Sequence, residues 1–360
     1  MNVNNLLDLY TDYLLVAPKY STATGLSSVT DNKVSHDQIT RLLSQKITSK
    51  TLWQEVKPLA HEIRSNEGLL IIDDSIEPKP FTKQNALINW HYDHCSGKSV
   101  KGVNFVSSFY YNPSLEMGLP VGVDYIKKDQ KFIDATGKTT YKSKQTKNEI
   151  MRKMVRHADF NIGFKYVLAD SWFSSSENMI CITQECKSDF IMAIKSNRII
   201  ALSKQDKEQG IYHGIESLEL EERTMSVYLK QYSEPVLISK QVFKNGDGST
   251  GTLYLATSDL NLDYKSLTTI YEKRWKVEEF FRSIKNNTAF AKAPTKTIRT
   301  QQAHFTASMI AFVKLERLKI RNNKNHYAMK SEIWLAATKA AWKQLDRLST
   351  LNHHFNKNAA

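Results

Sequence analysis

Cysteine is scarce: Cys95, Cys181 and Cys186 are the only three among 360 residues. So sparse and odd a set argues against a disulfide framework and for a reducing compartment. Long apolar runs are missing as well, so no stretch reaches the length of a membrane-spanning helix. The opening MNVNNLLDLY places no basic residue ahead of an apolar core, and no export signal is read there. These absences predict a cytoplasmic protein with no membrane partner. Glycine-rich phosphate loops are lacking too. Gly137-Lys138-Thr139 has neither the earlier glycine nor the preceding buried strand of such a loop. Trp90-His91-Tyr92-Asp93-His94-Cys95 invites a zinc reading. His-x2-His-Cys crowds its donors, however, and no second Cys/His pair follows at a finger-like distance. Nothing supports Ser/His/Asp or Cys/His nucleophilic catalysis, and no internal repeat or low-complexity tract is visible.

Positive charge is what the chain has in excess. Fifty Lys and Arg against 37 Asp and Glu give a formal net charge of +13. A field of that sign draws polyanions, which makes nucleic acid the natural partner. Hydrophobic residues at 41% and charged residues at 24% are ordinary for a globular protein. The length suffices for a sizeable core and more than one folding unit.

Residues 1–65 read as a helical N-terminal region. Ser35 can cap a helix through Ile39, Leu42 and Leu43, and Thr51 one carrying Trp53 and Val56. Short helices joined by turns permit a helix-turn-helix that enters a major groove, or plain packing on the main domain. Leu69-Leu70-Ile71-Ile72 then reads as a buried strand closing in Asp73-Asp74-Ser75. Acids at the end of a buried strand are costly unless solvated, bonded or bound to a cation. Successive strand residues point to opposite faces, so one of the two faces a site. Residues 103–111 and 119–126 are strand-like and suggest an antiparallel meander with the first strand. Seven lysines between Lys127 and Lys147 outnumber Asp129 and Asp134, in a loop that is either solvated or set against phosphates. A helix is expected over 148–158. A second apolar strand, Tyr166-Val167-Leu168-Ala169, again ends in an acid, Asp170-Ser171-Trp172. Cys181 and Cys186 read as core or neutral surface on the helix that follows.

Residues 199–254 carry frequent turn signals and alternating runs, which predict a strand-rich insertion. Tyr232 and Tyr254 are candidate stacking aromatics there, with core packing the blander role. Tyr271 to Lys285, YEKRWKVEEFFRSIK, has helical periodicity without Gly or Pro. At 100° per residue, Tyr271, Arg274, Glu278 and Lys285 share an arc of roughly 60°. Beside it runs an apolar stripe of Ile270, Val277, Phe280, Phe281 and Ile284. A carboxylate flanked by cations suits metal and phosphate chemistry. The bland alternative is a solvated face with an Arg274–Glu278 salt bridge. Beyond Lys285 no acid occurs before Glu316, whereas Lys292, Lys296 and Arg299 make the helix-breaking loop at Pro294 basic. Helices over 301–319 and 327–348 and a frayed tail from Asn352 complete the chain.

Tyr-x2-Arg-x3-Glu-x6-Lys, joined to Asp74-Ser75 and Asp170-Ser171-Trp172, resembles the signature of bacterial insertion-sequence DDE transposases of the cut-and-paste type. The resemblance runs from about Leu69 to Lys314 and selects Asp74 over Asp73, leaving Asp73 a supporting or turn residue. It implies an α/β fold: a ribonuclease-H-like mixed sheet flanked by helices, with the strand-rich insertion ahead of the catalytic helix. The expected division is 1–65, 66–198 and 255–319 for the core halves around 199–254, and 320–360 for the last helix and tail. Asp74, Asp170 and Glu278 would be the catalytic and metal-binding acids, holding Mg²⁺ or Mn²⁺, two ions in all. Tyr271, Arg274 and Lys285 would contact DNA phosphates, with Lys292, Lys296 and Arg299 as further DNA-binding residues. The implied partners are double-stranded DNA, as transposon terminal inverted repeats and target, and a second copy in a homodimer. The implied setting is the bacterial nucleoid. Rival readings are a ribonuclease-H-like nuclease without strand transfer and an inactive DNA-binding derivative.

Overall fold

The computed structural model describes residues 3–357 except Cys95, Asp134, Thr136, Lys138, Glu221, Asn245 and Pro294, with side chains as far as 349. The turn expected at Asn245, the break at Pro294 and the end of the histidine-rich segment at Cys95 therefore lie outside the described residues, as do residues 358–360 of the tail.

The N-terminal region is helical as expected: α1 (Val3–Val16), α2 (Ala23–Val29), α3 (His36–Leu43) and α4 (Ser49–Glu62). Ser35 caps α3 in a reciprocal box with Gln38. Thr51 sits inside the first turn of α4 rather than ahead of it, accepting the Thr48 N–H at 3.3 Å. These helices bury their apolar faces on the rest of the chain. The Tyr10 hydroxyl meets His304 Nδ1 at 2.8 Å, and Lys314 pairs with Asp12 at 2.6 Å. Leu6, Leu14, Ile39 and Val56 belong to the same contiguous core as the central sheet. These four helices are thus packed on the main body.

The sheet begins with β1 (Leu69–Pro78), β2 (Ile88–Asp93), β3 (Lys98–Asn112) and β4 (Met117–Tyr125). The long β3 pairs antiparallel with β1 on one side and with β2 and β4 on the other. A separate ribbon, β5 (Gln130–Ile133) and β6 (Thr139–Lys142), occupies the lysine-rich stretch that reads as a loop. Then α5 (Lys147–Asn161) leads to β7 (Tyr166–Ala169), and α6 (Ser176–Ile180) leads to β8 (Asp189–Ile194). Both strands run parallel to their neighbours, β7 beside β1 and β8 beside β7. Strands covered on both faces must be apolar throughout, which is why Leu69–Ile72 and Tyr166–Ala169 are unbroken hydrophobic runs. The order β4-β3-β1-β7-β8, an antiparallel meander followed by two parallel strands, is the expected ribonuclease-H-like arrangement.

The insertion comprises β9 (Ile199–Ala201), α7 (Lys204–Gln209), β10 (His213–Gly214), β11 (Thr224–Leu229), β12 (Pro235–Lys244) and β13 (Thr250–Thr257). It does not stand apart: β13 pairs antiparallel with β8, so these strands continue the central sheet. Tyr232 and Tyr254 are both buried in the core, the blander of their two roles. Cys181 and Cys186 are buried too, as free thiols.

Four helices close the chain: α8 (Tyr264–Glu272), α9 (Trp275–Asn287), α10 (Ile298–Asn322) and α11 (His326–Lys357). The single helix expected over 271–285 is broken at Lys273 and Arg274. Their N–H groups turn to carbonyls three residues back, Ile270 at 3.0 Å and Tyr271 at 2.8 Å, tightening the chain into a 3₁₀-like step. Val277, Phe280, Phe281 and Ile284 are nonetheless buried as one stripe. The last helix continues through the expected frayed region to Lys357.

One backbone contact makes a stability test. A Cβ on Gly102, in β3, would stand 2.3 Å from the Glu77 carbonyl oxygen of β1. Because the obstacle is backbone, Gly102→Ala should destabilise the protein by about 1–3 kcal/mol, read as a lower thermal midpoint by circular dichroism.

Candidate active site

β1 outruns its partner. Its parallel pairing with β7 ends at Ile72 opposite Ala169, and each strand supplies an acid at the next position, Asp73 and Asp170. Beyond that point both faces of β1 open into one cleft of about 850 Å³, lined by Asp73, Asp74, Asp170 and Glu278 together with Lys147 and Lys285. The pleat separates the two neighbouring aspartates. Asp73 and Ser75 look towards α9: Arg274 Nη1 donates to Asp73 Oδ2 at 3.2 Å, and Lys285 Nζ to Ser75 Oγ at 3.0 Å. Asp74 looks the other way, to the start of α5, where Lys147 Nζ meets Oδ2 at 2.6 Å.

Arg274 joins strand to helix. Its second amino group lies 2.7 Å from Glu278 Oε1, so a single guanidinium spans Asp73 and Glu278. The Arg274–Glu278 bridge posed as the bland alternative is therefore present, but it carries a strand-borne acid with it. Asp170 Oδ1 accepts the Trp172 N–H at 3.0 Å, which fixes its carboxylate at the strand end. Burial is the main influence on both strand-end acids. It pushes Asp73 up to about 7 against the pull of Arg274, with Asp170 adding repulsion. It raises Asp170 as well, with Asp74 adding to the effect. An acid held above its usual range beside other carboxylates awaits a cation.

Residues 4–213 match the family described as DDE superfamily endonuclease, and residues 132–313 match the one described as Transposase DDE domain. The first match alone covers more than half of the chain. This chain belongs to the DDE transposases. No curated protein matches it. The first match begins at residue 4, so the N-terminal helices of this transposase lie inside the matched region, ahead of the stretch that carries the sequence resemblance. The second spans Tyr271 to Lys285 without giving those residues roles.

The donor set suits a hard divalent cation, the kind of ion this family uses. The lining offers five carboxylates, Asp73, Asp74, Asp93, Asp170 and Glu278, against one imidazole, His94, and no cysteine among the described residues, and oxygen ligands are the ones a hard cation prefers. Among the described residues, no three Asp, Glu, His or Cys side chains are grouped closely enough to cage one ion as they stand. Arg274 and Lys147 hold three of the acids in ion pairs instead. A bound cation thus has to take over charges that these two side chains now balance.

Other residues fall differently from one another. Tyr271 is buried, its hydroxyl 3.4 Å from the Ala169 carbonyl and its ring 5.9 Å from the Arg274 guanidinium. Burial pushes its phenol up to about 12. Lys285 lines the cleft, whereas Lys292, Lys296 and Arg299 do not. Lys292 reaches the Pro18 carbonyl at 3.4 Å and Arg299 that of Ser44 at 3.5 Å, both in the N-terminal region. Sequence reasoning passed over Lys147, one of seven lysines in its stretch, and Lys195 and Arg282, which also line the cleft. No helix among the described residues is long and apolar enough to cross a membrane.

Proposed function

We propose that this transposase cuts phosphodiester bonds at the ends of a mobile DNA element and joins the freed 3′-hydroxyls to target DNA. The supporting observation is the convergence of Asp73, Asp170 and Glu278, from two strands and a helix, on one cleft with Arg274 spanning two of them. Asp73, rather than its neighbour Asp74, is taken as the first acid of the set, because it shares a face with α9. These three acids would hold the pair of divalent cations, which supply an activated attacking oxygen and a stabilised leaving oxygen.

The chain's own residues do the rest. Arg274 and Lys285 hold the scissile strand by its phosphates, and Tyr271 keeps Arg274 at its place under the helix break. Lys147, next to Asp74, offers a further cation to the strand. Lys292, Lys296 and Arg299 form a separate basic face for the flanking duplex, next to the N-terminal helices. Two transposon ends have to meet for joining, so the working form is a homodimer on DNA. The chain carries these roles in the bacterial nucleoid.

Incubating the full chain with Mg²⁺, labelled end DNA and a target plasmid tests the reading. The expected result is a labelled joined product dependent on the metal. Metal-dependent cleavage without any joined product would reduce the protein to a plain nuclease. Absence of both would leave only a DNA-binding derivative.

A further inference from the structure

Two of the three cysteines stand together, and the chemistry of the cleft uses neither. After Ile180, α6 opens into a wide π-turn, Cys181–Glu185, in which the Cys186 N–H donates to the Cys181 carbonyl at 3.1 Å. That bond spans five residues instead of four. In an α-helix, positions five apart point about 140° away from each other around the axis. The wider turn cuts the angle to roughly 50°, so both side chains leave the helix on one side. Cys181 is 1% exposed and Cys186 8%. Their thiols form a short chain. Cys186 S–H donates to the Cys181 sulfur, and Cys181 S–H is directed at the Arg152 carbonyl of α5 at 4.0 Å.

The two thiols are unequal. Arg156 of α5 grips Glu185 through Nε at 2.6 Å and Nη2 at 3.0 Å, and Arg152 Nη1 meets Asn178 Oδ1 at 2.8 Å, so two guanidiniums flank the turn. The hydrogen bond from Cys186 pulls the Cys181 thiol below its usual range. Arg156 and Arg152 help, while burial and Glu185 oppose. The same hydrogen bond pushes Cys186 up, and burial adds to it. A thiol that ionises readily, beside one that keeps its proton, is the asymmetry of an attacking and a resolving cysteine. Burial selects the oxidant. Hydrogen peroxide is scarcely larger than water, whereas a tripeptide disulfide is far too bulky to reach either sulfur.

We propose that Cys181 and Cys186 are a peroxide-sensitive modification site, with Cys181 attacking and Cys186 closing a reversible disulfide across the π-turn. The Cys181 thiolate attacks one peroxide oxygen and the O–O bond breaks. The departing hydroxide takes up the thiol proton as water and leaves Cys181 a sulfenic acid. The Cys186 sulfur then attacks, an S–S bond replaces the S–O bond, and the hydroxyl departs with the Cys186 proton as a second water. Two thiols lose two electrons in all, and one peroxide becomes two waters. The bridge pins the π-turn, because a return to α-helical register would swing the sulfurs apart. α6 and this turn join the Asp170 end of β7 to β8, so the pinned segment lies directly behind the cleft.

The site is independent of the cleavage reading, and its test needs neither DNA nor metal. The full chain carrying Cys95→Ser is treated with hydrogen peroxide. Both remaining thiols should vanish from a thiol titration, and the tryptic peptide 166–187, which carries both cysteines, should become lighter by two hydrogens. Dithiothreitol should restore both thiols. In the same background Cys186→Ser should stop at the sulfenic acid, captured by dimedone on Cys181, and Cys181→Ser should react about tenfold more slowly or less. Circular dichroism melts check that these two variants fold, and the bridged peptide of the intact pair decides the matter without them. Thiols that persist in peroxide at a concentration that oxidises free cysteine overturn the proposal. So does a sulfinic or sulfonic acid formed without a bridge, or a bridge between two molecules. Equal rates in the two single variants overturn the role of Cys181, and a ready adduct with oxidised glutathione overturns the choice of peroxide.

Discussion

Glu278→Gln should abolish strand cleavage and leave DNA binding measurable. The amide keeps the shape of the carboxylate and an oxygen to accept from Arg274, so the α9 face stays in place. It removes the negative charge that a divalent cation needs. Losing such a ligand costs several kcal/mol of transition-state stabilisation, a fall in rate on the order of a thousandfold. Gel assays of nicking beside filter-binding titrations separate the two effects. Full cleavage by the variant would remove Glu278 from the chemistry.

The comparison of Asp73→Asn with Asp74→Asn is the sharper experiment, because one residue separates the two and the pleat sets them on opposite faces. Asp73→Asn should match the Glu278 variant, whereas Asp74→Asn, which loses its ion pair with Lys147, should retain a measurable share of cleavage. The reverse ranking would return the role to Asp74, the residue that the sequence resemblance selects. Stability offers a second readout. Burial raises Asp73 from 3.8 to about 7, so the folded state binds its proton more tightly than the unfolded state does. The contribution of that carboxyl is at its best below the lower value and is lost as pH climbs through the window. Without divalent ions, Asp73→Asn should therefore be more stable than the wild type above about pH 7, by no more than about 4 kcal/mol. The difference should vanish near pH 4. Adding Mg²⁺ should raise the wild-type melting temperature and leave that of the variant nearly unmoved. Urea melts across the pH range, with and without metal, read all of this.

Much of the fold was legible because burial on both faces forces unbroken apolar runs. Leu69–Ile72 and Tyr166–Ala169 declared themselves as buried strands in that way, and their closing acids located the cleft; that the two run parallel came only from the structure. Ser35 announced a helix start as a capping residue, to which the structure adds Gln38 as its reciprocal partner. The break at Lys273 and Arg274 was not legible: a tightened step of three residues hardly disturbs a 3.6-residue pattern, and the buried stripe runs on across it. The edge strand β2 was missed although Ile88 to Asp93 alternates apolar and polar residues: its histidines drew a metal reading, and the strand buries Asn89 and His91 while exposing Trp90 and Tyr92, the reverse of the usual pattern. Choosing between Asp73 and Asp74 requires knowing which helix covers which face of β1, and that is a long-range fact. Lys147 was hidden for a similar reason. One lysine among seven gains its meaning only from Asp74, 73 positions earlier in the chain.

The pairing of β13 with β8 has a mechanical consequence. From β7, whose end holds Asp170, six hydrogen-bonded steps lead outward through β8, β13, β12, β11 and β9 to β10. At about 4.8 Å a step, that is roughly 29 Å of continuous backbone lattice. One turn of B-form duplex measures about 34–36 Å. A double helix laid across these strands would thus pass through about five-sixths of a turn between the point of cutting and the outer rim, held at both places by one continuous sheet.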